Sequence, residues 1–101
     1  MKVEYVPNYI IVNHEGRVIY SQAGEAAGEP VDHVMKEYAL ENFKTFYICS
    51  QQQRPIFPGL PKSDVISKLR CLAPTRVAAE KAAERMGLES GGVFYAWVEP
   101  V

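Results

Sequence analysis

The chain has 101 residues, 48% of them hydrophobic and 23% charged, and a formal net charge of −1. That is the balance of one ordinary soluble domain, 1–101, able to bury ~60–65% of its unfolded surface. A charge so near neutrality excludes bulk electrostatic attraction to nucleic acid or to an anionic membrane as the main activity.

Residues 3–21 read as a β-hairpin, with strands near 9–13 and 17–21. Tyr9-Ile10-Ile11-Val12 and Val18-Ile19-Tyr20 flank Asn13-His14-Glu15-Gly16-Arg17, where Gly16 suits a type I turn plus bulge. That register pairs Val12 with Val18, Ile10 with Tyr20 and Ile11 with Ile19. Pro7 limits the first strand, and Asn8 marks a bend. Ser21–Glu29 is small and polar, a linker. Its Gly24–Gly28 stretch lacks the lysine and hydroxyl of a phosphate loop, and Glu25 and Glu29 would repel a phosphate.

A helix is predicted over 30–42, with Val31, Val34, Met35 and Tyr38 inward, Ala39 and Phe43 at the margin and Leu40 outside. Residues 45–50 form the next strand, apolar on both faces. Gln51–Pro61 is a loop stiffened by Pro55, Pro58 and Pro61. It either presents Ile56, Phe57 and Leu60 to a partner or tucks them onto its own core. Ser63 then reads as the N-cap of a helix over 63–72, with Val65, Ile66, Leu69 and Leu72 inward.

The clearest plan lies in Thr75–Val98. Ala78, Ala79, Ala82, Ala83 and Met86 share one face of a helix over 75–86, capped by Thr75 and stopped at Gly87, with Leu88 folding back onto Ala83. A strand over 93–98 follows, with Val93, Tyr95, Trp97 on one side and Phe94, Ala96, Val98 on the other. A strand apolar on both sides belongs in a sheet interior, or else sets one face against a partner; the interior is the expectation. The fold class is α+β. One four-stranded mixed sheet has the order ββαβααβ along the chain, with helices mainly on one face and a parallel crossover from Tyr20 to Phe46.

No cysteine or histidine spacing suits zinc: Cys49 and Cys71 are far apart and His14 and His33 pair with neither. Two cysteines are also too few for a disulfide framework. With no basic-then-apolar leader and no membrane-length apolar run, the cytoplasm is the expected compartment. Glu37/Glu41 and Glu80/Glu84 lie on solvated helix arcs rather than in an acid–base pair.

Charge is uneven, at −4 over residues 1–43, +5 over 44–76 and −2 over 77–101. The middle segment either meets an anionic partner or offsets the acidic N-terminal part within one fold. Short chains with no catalytic motif are often adaptors, or inhibitors encoded by phages and other mobile elements. The expected function is accordingly a non-enzymatic protein-binding module of that type, using neither metal nor nucleotide cofactor. It would act through Gln53, Arg54, Ile56, Phe57, Leu60, Lys62 and Arg70 on a protein with an acidic surface, and a homodimer is compatible with it. The alternatives are a nucleic-acid-binding accessory using 44–76 and a small enzyme without a recognisable motif.

Overall fold

The computed structural model describes residues 9–21 and 33–101. In order these form β1 (Tyr9–Val12), β2 (Val18–Ser21), α1 (His33–Asn42), β3 (Lys44–Gln52), β4 (Ile66–Ala73), α2 (Arg76–Glu89) and β5 (Phe94–Pro100). The strands make one mixed sheet, β2-β1-β4-β3-β5, with β1 parallel to β4 and every other neighbouring pair antiparallel. The α+β class and mixed sheet are as expected. The sheet has five strands instead of four, and the described residues hold two helices instead of three. The expected strand start at 3–8 with Pro7 and Asn8, the linker 22–29 and the helix start at 30–32 lie outside the described residues.

The extra strand is the segment expected as a helix over 63–72. Val65, Ile66, Leu69 and Leu72 fit a helical stripe, but Ser67, Leu69, Cys71 and Ala73 also alternate with Ile66, Lys68, Arg70 and Leu72. Pairing with β3 over Lys44↔Ala73 to Gln51↔Ile66 decides between the two. The ladder satisfies the backbone of both strands and sets Cys71 and Ala73 into the core. Ser63 caps no helix. Its amide donates to Gln52 Oε1 at 2.8 Å and its Oγ accepts from the Val65 amide at 3.2 Å.

That strand also moves a helix to the other side of the sheet. Ile10, Val12, Phe46, Ile48, Cys71 and Ala73 pack with Ala78, Ala79, Ala82 and Ala83 of α2, whereas Ile11 and Leu72 pack on the opposite face with Ala39 of α1. The helices therefore lie on opposite faces, not on one. The β2-to-β3 and β4-to-β5 crossovers both run the same way across the sheet, but β2 and β4 point in opposite directions. Two crossovers of one hand must then pass over opposite faces. As expected, β2 and β3 are parallel in direction, with two strands between them.

Within α1 the buried residue is Ala39, while Val34 is 79% exposed and Tyr38 54% exposed, so the expected inward stripe is rotated. Lys36 Nζ of the helix stands 4.9 Å from the centroid of the Tyr20 ring, and that ring lies 5.5 Å from Tyr9 of the neighbouring strand.

In α2, Thr75 Oγ1 accepts from the Ala78 amide at 3.1 Å, the predicted cap. The helix runs a turn further than expected, through Gly87 to Glu89, and Gly91 instead takes a positive φ. Leu88 is exposed rather than folded onto Ala83. A Cβ on Gly87 would sit 3.7 Å from the Phe94 carbonyl, an ordinary contact, so the helix passes through this glycine without needing it.

The hairpin has its bulge one pair earlier than predicted: Ile11 faces Tyr20, Ile10 faces Ser21, and the register shifts before Val12↔Val18. Gly16 closes the turn, donating to the Asn13 carbonyl at 3.0 Å with φ +76. It also abuts α2, where an added Cβ would lie 2.6 Å from the Ala82 nitrogen and 2.7 Å from Lys81 Cβ. Arg85 Nε donates to the Glu15 carbonyl at 3.3 Å beside it. Gly16→Ala should cost about 2–4 kcal/mol, combining positive-φ strain with a backbone clash. Gly59→Ala, also at positive φ but with no atom within 4 Å of the added Cβ, should cost only about 1 kcal/mol. Urea unfolding of both variants reads the difference, and equal losses would mean that the turn does not dock on α2.

Candidate binding surface

The connector between β3 and β4, residues 53–65, keeps its apolar side chains in water. Ile56 is 61% exposed, Phe57 63%, Leu60 52% and Val65 72%, and Ile66 opens β4 at 49%. Its ends are nonetheless fixed. The Gln53 amide donates to the Val93 carbonyl at 2.7 Å, and Arg54 donates through Nε to the Gly92 carbonyl at 3.3 Å and through Nη2 to that of Gly91. Gln52 is buried at the base and takes the Ser63 amide. A proline-rich segment clamped at both ends loses little entropy when a partner covers it.

Next to this connector lies a sheet face that no described helix covers. Neighbouring registers place Ile66, Gln51 and Tyr95 in one row across β4, β3 and β5, then Lys68, Cys49 and Trp97, then Arg70, Tyr47 and Glu99. Tyr95 and Trp97 stack with centroids 5.6 Å apart and ring planes at 22°. Lys68 Nζ lies 5.6 Å from the Tyr47 ring centroid and 3.6 Å from Glu99 Oε2. The Trp97 indole N–H donates to Glu99 Oε1 at 3.2 Å. That bond first, then the Cys49 thiol and Lys68, hold the Glu99 carboxyl below the usual carboxylate range. The stabilisation is therefore present at neutral pH and is lost as acid brings the pH down through the lowered value.

This face corrects the expectation that the strand over 93–98 is interior. β5 is an edge strand, with α2 on one side and an open face on the other. Tyr47, Tyr95 and Trp97 share this open surface.

The predicted site residues divide into three groups. Gln53, Ile56, Phe57, Leu60 and Lys62 are exposed together on the connector. Arg54 is turned to the Gly91 and Gly92 carbonyls, where it clamps the connector to the α2–β5 turn. Arg70 stands apart, in the row furthest from the connector, roughly 13 Å along β4 from Ile66. Its buried Nε has no hydrogen-bond partner among the described residues. Of the other bases in 44–76, Lys68 and Arg76 pair with Glu99 and Glu80, and Lys44 lies at the far end of β3. The basic segment therefore forms no continuous track. Sequence reading leaves Ile66 and Lys68 out of the site, and the alternation of 66–73 is the signal that would have placed them on this face. It reads Tyr95 and Trp97 as one side of an apolar strand but does not join them to the connector.

Both thiols are free and closed to solvent, on opposite faces of the sheet. Cys71 lies under α2, and burial pushes its pKa up to about 12. Burial also raises that of Cys49, helped by the Glu99 carboxylate within hydrogen-bonding reach, but Cys49 lies in the row of Lys68 and Trp97, on the face that no described helix covers. Among the described residues no three His, Cys, Asp or Glu side chains gather where a metal ion would sit. No helix among them is long and apolar enough to cross a membrane. Comparison with protein-family models, with curated proteins and with solved structures finds no match to this chain.

In native protein at mildly alkaline pH, iodoacetamide should label Cys49 faster than Cys71. Glu99→Gln removes the carboxylate that disfavours the thiolate, so it should speed labelling of Cys49 about two- to fivefold and leave Cys71 unchanged. Peptide mass spectrometry over time gives both rates. Faster labelling of Cys71 would contradict the arrangement of the two faces.

Proposed function

We propose that this chain is a non-enzymatic protein-binding module of adaptor or inhibitor type. Its interface is the 53–66 segment continued onto the open face of β4, β3 and β5. The observation that carries this reading is the set of five large apolar side chains, Ile56, Phe57, Leu60, Val65 and Ile66, each about half exposed or more on one clamped segment. Isolated exposed apolar residues need no explanation, but a contiguous group of this size is costly in water and suits the centre of a protein interface. The both-sided apolar pattern of β5 supports the same reading, because an interior position, the other way to account for it, is not what β5 occupies.

The partner's chemistry follows from the rim. Lys62, exposed on the connector with Phe57, and the guanidinium of Arg70 on the sheet favour carboxylates around an apolar patch. Nucleic acid is disfavoured. Three of the six bases in 44–76 are engaged with carboxylates or carbonyls of the chain itself, and aliphatic Ile56, Leu60 and Val65 have no role in stacking bases. The two unpaired thiols suit a reducing compartment, in keeping with action in the cytoplasm.

The partner would be isolated from native host extract on tagged protein and its affinity measured by calorimetry. Phe57→Ala should weaken binding by about 2 kcal/mol, roughly thirtyfold. Arg70→Gln should weaken it by about 1–3 kcal/mol through the lost charge-assisted hydrogen bond. Raising salt tenfold should change affinity by less than about tenfold. If Phe57→Ala is neutral while affinity for a single-stranded oligonucleotide falls steeply with salt, phosphates are being neutralised and the protein-interface reading fails.

A further inference from the structure

Along the outer edge of β5 runs a groove of about 510 Å³, lined by Glu80, Ala83, Glu84, Gly87 and Leu88 of α2 and by residues 94–98 of the strand, so that Tyr95 and Trp97 of the open face border it too. Ala83 and Gly87 keep its floor low, and Leu88 and Phe94 form apolar walls. We infer that this groove is a strand-addition site, in which an extended peptide of another protein, carrying basic and small apolar side chains, pairs with the free edge of β5.

The backbone defines the available edge. The Gln53 amide bonds to the Val93 carbonyl across the β3–β5 ladder, so by antiparallel alternation Tyr95, Trp97 and Glu99 also turn their amides and carbonyls toward β3. Phe94, Ala96, Val98 and Pro100 turn theirs outward. The Phe94 amide is satisfied by Ser90 Oγ at 3.1 Å, and that hydroxyl donates to the Gly87 carbonyl at 2.6 Å. Pro100 has no amide hydrogen. Two complete donor–acceptor pairs, those of Ala96 and Val98, have no partner among the described residues and face out between a cap and a proline. Such an edge is too short to recruit strands indiscriminately and long enough to pair a short peptide.

Charge selects the occupant. The α2 residues beside the hairpin are the basic ones, Lys81 against Gly16 and Arg85 on the Glu15 carbonyl. Those on the groove side are Glu80 and Glu84. Glu80 is shared with Arg76 at 3.1 Å, whereas Glu84 has no ion pair among the described residues. A lysine or arginine on the incoming strand meets Glu84, and small apolar side chains fill the floor. A second copy of this chain is the poorer occupant. Two-fold pairing of β5 with itself would bring the Glu80 and Glu84 rims of two α2 helices together, and like charges at that range oppose association.

The test uses a fluorescein-labelled short peptide whose every second residue is threonine and whose remaining positions alternate valine and lysine, so that both kinds share one face of the strand, with glutamate in place of lysine as control, titrated against the whole chain by anisotropy. The lysine peptide should bind and the glutamate peptide should not. Glu84→Lys should weaken binding about fivefold or more, and Ala96→Pro, which removes an outward amide without touching the β3 ladder, about tenfold. Because Ala96→Pro can disturb folding, the same question is put to the peptide. Methylating its alternate backbone nitrogens should abolish binding for one set and spare the other, since only one edge of the peptide pairs. Equal effects of the two methylated sets, binding indifferent to Glu84→Lys, or no binding at millimolar peptide would overturn the inference. So would sedimentation showing that the chain pairs through β5 with itself.

Discussion

The closeness with which α2 lies on the sheet governs the rest of the molecule. Ala78, Ala79, Ala82 and Ala83 are all buried, and nothing larger than a methyl group separates the helix backbone from Phe46, Ile48, Cys71 and Val12. Alanine gives up side-chain burial but keeps helix propensity, so contact area between backbones replaces the bulk of a leucine-rich core. The same closeness requires a residue without Cβ at position 16, where the hairpin turn meets Lys81 and Ala82. α2 thereby covers one face of the sheet over Val12, Cys71, Ala73, Phe46 and Ile48, with Ala96 and Val98 of β5 partly buried at its margin. The other is served by α1, a ten-residue helix whose buried contribution is Ala39 over Ile11 and Leu72. That helix reaches β1 and β4 but leaves the ends of β4, β3 and β5 open. The unequal cover of the two faces is what makes a binding surface available.

Sequence pattern was a good guide where one periodicity stood unopposed. The alanine stripe and Thr75 gave α2 and its cap, and Asn13 to Arg17 gave the turn. It misled where two periods coexist in the same residues. Residues 66–73 satisfy a helical stripe and a strand alternation together, and only the long antiparallel ladder with β3, a contact made in three dimensions, chooses between them. The consequence reached beyond those residues, because an added strand reverses the chain before α2 and carries that helix to the opposite face. Gly87 misled for a related reason. It lies inside the helix, which runs on to Glu89, and the positive φ falls at Gly91 and Gly92; spacing alone does not say which glycine follows the helix end.

For the surface, the residues of the connector were legible and their company was not. Prolines at 55, 58 and 61 marked a stiff segment, and its apolar side chains do stand in water. Arg54 and Arg70 looked alike as nearby cations. One is used by the fold itself, closing the connector onto Gly91 and Gly92, while the other lies on the sheet with an unmet donor. The pattern of β5 allowed an interior position or a face against a partner. β5 is at the edge of the described sheet, with Tyr95 and Trp97 stacked on the open side.

The account rests on the claim that this fold holds apolar side chains in solvent where only another molecule can cover them. Hydroxyl-radical footprinting of the free protein tests it directly, because Phe46 and Phe57 have the same intrinsic reactivity and differ in exposure, 8% against 63%. The account predicts that Phe57 is oxidised at close to the rate in unfolded chain while Phe46 is strongly protected. Protection of Phe57 to the level of Phe46 in the free monomer would mean that the connector folds onto its own core, and the binding surface described above would not exist.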